Sequence, residues 1–222
     1  MEGYACIFDL DGVIVDTAKY HFLAWRKLAN ALGFDFTENQ NESLKGISRA
    51  ESLDIILAWG NVELTHAEKD EWLKTKNNWY LEHVLTMNEE AILPGAKEFI
   101  TIVKNAGFKI ALGSASKNAV SILEKVGLLN QFDAIIDGTK TTKSKPDPQV
   151  FTMCADELGI AYKNCVVFED AEAGIEAALS AGMAAIGIGN KTILNRALFA
   201  VNDLSEMTLE KLPFINSNTI PH

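Results

Sequence analysis

Five short apolar runs, separated by helical patterns, constrain this chain more than any other feature. They cover residues 4–8, 109–112, 134–136, 165–168 and 184–188. Runs this short and this continuous read as strands buried on both faces. Helical patterns fall between them. Residues 96–105 follow Pro94-Gly95 and stop near Gly107, 119–126 stop at Gly127, 148–158 at Gly159 and 171–181 at Gly182. A proline near the start and a glycine just past the end is the usual asymmetry of helix termini. Strands alternating with helices specify an α/β fold built on a parallel sheet with helices on both faces.

The stretch from Asp16 to Leu93 breaks the alternation. It holds no convincing strand, while Tyr20, Ala24, Leu28 and Leu32 recur at helical spacing and Gly33 closes that segment. Residues 52–58 and 66–84 also read as helices. An all-helical insertion, residues 16–93, is therefore expected just after the first strand. Residues 1–15 and 94–222 form the α/β core. The tail after Asn202 is weakly patterned and is expected to pack at the periphery.

In parallel α/β sheets, ligands gather at the C-terminal ends of the strands. The first such end carries Asp9 and Asp11, in Phe8-Asp9-Leu10-Asp11-Gly12. The second carries Ser114-Ala115-Ser116-Lys117-Asn118, a later loop carries Ser144-Lys145-Pro146-Asp147, and another strand ends in Glu169-Asp170. Taken singly, an Asp-x-Asp pair is commonly a turn or a cap, and a Lys-Pro step is commonly a loop with a solvated lysine. Their joint occurrence at strand ends or before helices points to one crevice holding acids, a lysine and a hydroxyl.

That mixture suits phosphoryl transfer assisted by Mg²⁺, which takes hard oxygen ligands and needs only one or two carboxylates. A carboxylate nucleophile and a phosphate ester repel each other, so a metal and a lysine must screen the charge. Asp9 could then attack phosphorus and form an aspartyl-phosphate. Asp11, two residues on, could act on the leaving or attacking hydroxyl as general acid and base.

These segments resemble the four motifs of the haloacid dehalogenase superfamily across about residues 4–190. The resemblance implies a Rossmann-like core and a helical cap inserted after the first strand. Further segments resemble the sugar-phosphate mutases of that superfamily: Asp16-Thr17-Ala18, His21-Phe22-x-Ala24-Trp25, Leu44-Lys45-Gly46-Ile47-Ser48-Arg49 and Ala171-x-Ala173-Gly174-Ile175. The implied catalytic residues are Asp9, Asp11, Ser114 and Lys145, with Thr17 and His21 near the hinge helping to place Asp11. The implied metal ligands are Asp9, Asp11 through its carbonyl, Asp170 and, directly or from behind, Glu169. Leu44 to Arg49, Ser52, Lys76 and Ser114 to Asn118 are implied to bind substrate, with Arg49 clamping the distal phosphate from a cap loop.

The activity so implied interconverts β-D-glucose 1-phosphate and D-glucose 6-phosphate through β-glucose 1,6-bisphosphate, which also primes the enzyme. A Mg²⁺-dependent sugar-phosphate phosphatase on the same scaffold is the alternative. Gly113 departs from the family pattern, in which alanine is expected, and is read as loosening the turn before Ser114.

Composition narrows the partners. A formal net charge of −10 over 222 residues disfavours nucleic acid, because binding a phosphate backbone requires clustered cations. Cys6, Cys154 and Cys165 are scattered in apolar runs, which reads as buried free thiols in a reducing compartment. No apolar stretch approaches the ~20 residues that span a bilayer, and no signal segment is read at the start. The expectation is a monomeric cytoplasmic enzyme acting on a small sugar phosphate.

Overall fold

Alternate residues of the first strand face opposite layers, and that alternation sorts the core. The computed structural model describes residues 3–214. Its sheet contains β1 (Ala5–Phe8), β2 (Lys109–Gly113), β3 (Ala134–Ile136), β4 (Cys165–Glu169), β5 (Ala184–Ile188) and β6 (Ala200–Val201), in the order β3-β2-β1-β4-β5-β6. Every pairing is parallel. β1 sits centrally, between β2 and β4.

Between β1 and β2 come α1 (Ala18–Ala31), α2 (Glu38–Glu42), α3 (Arg49–Gly60), α4 (His66–Val84) and α5 (Ala96–Asn105). Later come α6 (Ala119–Lys125), α7 (Gln149–Leu158) and α8 (Glu172–Ser180). Cys6 and Phe8 point into the layer beneath α5 and α6, with Phe99, Ile100, Ile122 and Leu123. Ala5 and Ile7 point into the layer beneath α7 and α8, with Phe151, Cys154, Ile175 and Ala178. Both faces are thus closed to water, as an all-parallel sheet requires. All three cysteines are free and buried.

Helices α1 to α4 have a core of their own, made of Trp25, Leu28, Ala29, Phe36, Leu44, Leu53, Ile56 and Leu57. Two chain segments connect this helical unit to the sheet, and they pair with each other. Val15 bridges Ile92 in antiparallel fashion, Asp16 N donates to Ala91 O at 3.0 Å, and Leu93 N donates to Ile14 O at 2.9 Å.

Four features differ from the sequence expectation. Helix α3 begins at Arg49 rather than Ser52, because Ser48 Oγ caps it by accepting from Glu51 N. Arg49 is accordingly the first helical residue and not part of a loop. Helix α2 was not anticipated, although Thr37 and Gln40 form a full capping box there, a signature readable from sequence. The tail is not peripheral, because Leu204, Met207 and Leu212 are buried in the same cluster as Phe8. Short 3₁₀ turns carry these residues, and such turns have no extended period to read. Residues 215–222 lie outside the described residues. Gly113 does not loosen a turn; it ends a buried strand where an added Cβ would lie 2.8 Å from the Phe151 ring.

Phe168 stacks on Phe8 with centroids 4.6 Å apart and meets Phe99 edge-on at 5.4 Å, joining β1, β4 and α5. Phe168→Ala is expected to cost about 3–5 kcal/mol of folding stability by urea titration. A loss under about 1 kcal/mol would mean that this stack does not anchor the central strands.

Candidate active site between the sheet and the helical insertion

Asp9 follows directly from β1, and the ladder runs one residue beyond the strand: Asp9 N donates to Phe168 O at 3.0 Å. The carboxylate therefore stands at the C-terminal edge of the central strand, fixed by backbone pairing. The chain then turns sharply, with Gly12 N donating to Val15 O and Ile14 N to Leu10 O. Gly12 has φ +82°, and an added Cβ would sit 2.2 Å from Asp170 Oδ2. Only glycine lets the β1 loop pass this close to the end of β4. Gly174, in α8, serves Glu169 similarly, since a Cβ there would lie 2.0 Å from the Glu169 carboxyl carbon.

Lys145 joins these strand ends electrostatically. Its Nζ donates to Asp9 Oδ1 at 2.5 Å and to Glu169 Oε2 at 2.8 Å, and all three side chains are buried. Burial works against the lysine charge, but Asp9 and Glu169 outweigh it and raise its proton affinity. The other Glu169 oxygen accepts from Ala171 N at 3.1 Å. From the helical side, Lys45 Nζ reaches Asp170 Oδ2 at 3.2 Å.

The acids outnumber these lysines. Burial, then the Asp9 charge, pushes Asp11 up to about 7. Burial likewise raises Glu169 and Asp170, against the pull of the nearby lysines. Carboxylate oxygens of Asp9, Glu169 and Asp170 lie within 4.8 Å of one another. A surplus of hard, buried oxygen donors around one point fits a small divalent cation such as Mg²⁺. The Asp11 side chain lies outside this trio and accepts a hydrogen bond from the Thr17 hydroxyl.

The crevice above these acids is lined from the sheet side by Asp9, Asp11, Asp170 and residues Ser114 to Asn118. Hydroxyl turns shape that last segment. Ser114 Oγ accepts from Ser116 N at 3.1 Å, and Ser116 Oγ accepts from Asn118 N at 3.2 Å. Both serine protons therefore stay available to a ligand. From the helical side come Thr17, His21, Leu44 to Ile47, Arg49, Ser52 and Lys76. The Arg49 side chain makes no hydrogen bond or ion pair with any described residue.

Lys76 is buried without a carboxylate. Its Nζ lies 3.2 Å from His21 Nδ1 and 4.2 Å from the Trp25 ring centroid. Burial, then Arg49, lowers its proton affinity well below the ordinary lysine value. Burial, then Lys76 and Arg49, does the same to His21.

The structure thus gathers most of the residues singled out in the sequence, but Lys145, Glu169 and Ser48 do not line the crevice. Lys145 still reaches it through Asp9, which its Nζ contacts directly. Ser48 faces a second cavity with Arg49, Lys117, Ser144 and Lys145. His21 contacts Lys76 and Tyr80, while the Asp11 contact comes from Thr17. Sequence reading missed Asn41, on α2, and two lining residues of α4, Asn77 and Tyr80. Asn77 Oδ1 accepts from Asn118 Nδ2 at 3.0 Å, tying α4 to the sheet. Tyr80 lies four residues after Lys76 and three after Asn77 on that helix, spacings that share one face and could have found it.

A doubly covered parallel sheet, a helical insertion after its first strand and an acid-and-lysine crevice between them define a capped α/β enzyme. The chain belongs to the haloacid dehalogenase-like hydrolases, whose family profile matches residues 5–182. It is 45% identical over 94% of its length to the β-phosphoglucomutase of Bacillus subtilis, covering 93% of that protein. The crystal structure of β-phosphoglucomutase from Clostridium difficile superposes with a TM-score of 0.90 at 44% identity, over 93% of this chain and 94% of that one. A more distant relative, 31% identical over 84% of this chain and 97% of its own, is the fructose-1-phosphate phosphatase YqaB of Escherichia coli.

Replacing Lys145 should expose how far the site depends on it. Lys145→Ala leaves two buried carboxylates facing each other, and breaking a buried pair costs about 3–5 kcal/mol. Glu169 already has a raised proton affinity in the fold, and losing the lysine raises it further. A raised carboxyl contributes stability at low pH that is lost as pH climbs through its folded value. Urea unfolding should therefore show a larger cost at about pH 8 than at about pH 5. Equal costs at both would refute the charge-balancing role.

Proposed function

We propose that this protein is a phosphomutase that interconverts β-D-glucose 1-phosphate and D-glucose 6-phosphate through β-glucose 1,6-bisphosphate. One observation carries the reading beyond the family relationship: the half-buried, unpaired Arg49 faces the same crevice as Asp9. A mutase must hold one phosphate while transferring the other, and a free guanidinium offers a planar, two-pronged anchor for it.

In this reading Asp9 is the nucleophile. Its carboxylate attacks phosphorus, the sugar–oxygen bond to phosphorus breaks, and Asp11 supplies the proton that the departing hydroxyl takes. In the other direction phospho-Asp9 donates to the 6-hydroxyl while Asp11 removes its proton. Thr17 holds the Asp11 carboxyl at the correct edge of the crevice. Ser114 and Lys145 bind the transferring phosphoryl oxygens; Arg49, Ser116, Lys117 and Asn118 hold the distal phosphate. Leu44 to Ile47, Ser52, Ala115, His21 and Lys76 shape the sugar pocket.

Asp9, Asp170 and the Asp11 carbonyl would hold Mg²⁺, with Glu169 beside or behind them. When bound, the ion supplies the positive charge that offsets repulsion between carboxylate and phosphate. A sugar bisphosphate would prime the cycle by phosphorylating Asp9.

The helical segment, residues 16–93, acts as a cap over a core of residues 1–15 and 94–222. Away from the linkers, side chains of the described residues meet across the gap at Lys45 to Asp170 and Asn118 to Asn77. Cap closure through these contacts keeps water from phospho-Asp9, so that a sugar hydroxyl takes the phosphoryl group. The same reading makes the protein a monomeric cytoplasmic enzyme whose partners are small sugar phosphates. No helix of the described residues is long and apolar enough to cross a membrane.

The deciding assay supplies α- or β-glucose 1-phosphate with Mg²⁺, with and without bisphosphate primer, and measures glucose 6-phosphate and free phosphate together. Primer-dependent glucose 6-phosphate from the β anomer is the expected product. Free phosphate alone would instead establish a phosphatase. Asp9→Asn should abolish turnover while retaining the fold by circular dichroism, and full activity in that variant would sink the mechanism. Arg49→Ala should reduce mutase kcat/KM at least tenfold more than hydrolysis of a small monophosphate; equal losses would remove Arg49 as the distal anchor.

A further inference from the structure

Each acid of the trio Asp9, Glu169 and Asp170 has a lysine beside it. Lys145 holds Asp9 and Glu169, and Lys45 holds Asp170. The two lysines are mounted very differently. The Lys145 side chain is 1% exposed and belongs to the core. The Lys45 side chain is 31% exposed and comes from the helical unit, just beyond α2. Its Nζ stands between two carboxylates: Asp170 Oδ2 at 3.2 Å across the gap, and Glu42 Oε2 at 2.9 Å on its own side. Away from the linkers, the Asp170 contact is the one ion pair of the described residues between the helical unit and the core.

A divalent ion among the trio, whose oxygens lie within 4.8 Å of one another, would face the Lys45 ammonium across a single carboxylate. Like charges that close repel strongly, the more so where water is scarce. Lys145 has nowhere to go, sealed as it is between two acids. Lys45 has Glu42, which already touches it, and a flexible four-carbon stem on which to swing. The loop that carries Lys45 rests on the core beside Asp170: a Cβ on Gly46 would stand 3.4 Å from Ala171 Cβ. Losing the Asp170 contact therefore loosens the seam where the helical unit meets the end of β4.

We propose that Lys45 is a metal-sensitive latch. It holds the helical unit on Asp170 before the acid trio takes its ion, and a bound Mg²⁺ displaces it onto Glu42 and frees the crevice to open for substrate. A phosphate arriving beside the ion restores negative charge, over which the latch closes again. The proposal rests on the reading that Asp9 and Asp170 hold Mg²⁺, but not on whether the phosphoryl group ends on sugar or water.

The test measures Mg²⁺ binding by calorimetry in the parent protein, Lys45→Met, Glu42→Gln and the double variant, without substrate. Small-angle scattering follows each protein with and without Mg²⁺. Coupling is reciprocal, so removing the latch should tighten Mg²⁺ at least about fivefold. E42Q takes away the resting place of Lys45 and should weaken Mg²⁺ at least about threefold. In the K45M background E42Q should change the affinity by less than about 1.5-fold, since no lysine is left to swing. Mg²⁺ should expand the parent protein, and K45M should be expanded without it. The latch is refuted if K45M binds Mg²⁺ no tighter than the parent, or if Mg²⁺ leaves the parent's radius of gyration unchanged. An E42Q effect of equal size in both backgrounds would also overturn it, because Glu42 would then act on the ion directly. A parent protein that binds no Mg²⁺ would refute the metal reading and the latch with it, whereas Mg²⁺ binding with no gain in K45M removes the latch alone.

Discussion

The contact on which the rest of this structure depends is the one Lys145 makes with Asp9 and Glu169. It brings together a loop and two strand ends that are far apart in sequence. It also makes a buried cluster of acids tolerable, because a single cation shared between two carboxylates repays part of the desolvation of all three. Other parts of the fold serve that contact. Gly174 leaves room for the Glu169 carboxyl, and Gly12 lets the β1 loop lie against Asp170. Phe151 sits beneath the lysine, its ring centroid 4.8 Å from Nζ. The negative charge left over is what suits the site to a divalent ion and a phosphorylated ligand.

The crevice has two chemically different ends. The sheet supplies all the acids of the crevice, together with hydroxyls and Lys117, whereas the helical unit lines it with cations and no acid: Lys45, Arg49 and Lys76. Splitting the charges between two units makes the field inside the crevice depend on how closely they approach. Lys45 already leans on Asp170, so the two halves attract each other before any ligand arrives. Lys76 is different, because it is buried against Trp25, His21 and Tyr80 with no ion-pair partner among the described residues, and the pull of Asp11 does not offset its burial. Its charge is costly there and is best repaid by an anionic or strongly polar ligand.

Much of the fold could be read from the chain because the strands are continuous apolar runs and the helices end in glycine. The order of Asp9, Ser114, Lys145 and Asp170 along the sequence gave the site, since topology places all four at one edge of the sheet. What escaped reading lacked period or needed three dimensions. Helix α2 is a single capped turn and β6 spans two residues. The buried tail is built from 3₁₀ turns. The extent of α3 hung on Ser48, which reads equally as a ligand group or as a cap. Tyr80 and Asn77 looked like parts of an ordinary amphipathic helix, and only the packing of α4 over the crevice distinguishes them.

The paired linkers at Val15 and Ile92 have a mechanical consequence. Two strands held by reciprocal hydrogen bonds resist twisting, so the helical unit is mounted more like a door than like a weight on a string. Helix α4 runs from near that mounting outward for about 28 Å at 1.5 Å per residue. Rotation about the linkers would displace its far end about twice as much as Lys76, and more again relative to Tyr80. The turn of α4 that faces the crevice would then shift least through an opening stroke, and the outer end of the helix would sweep widest.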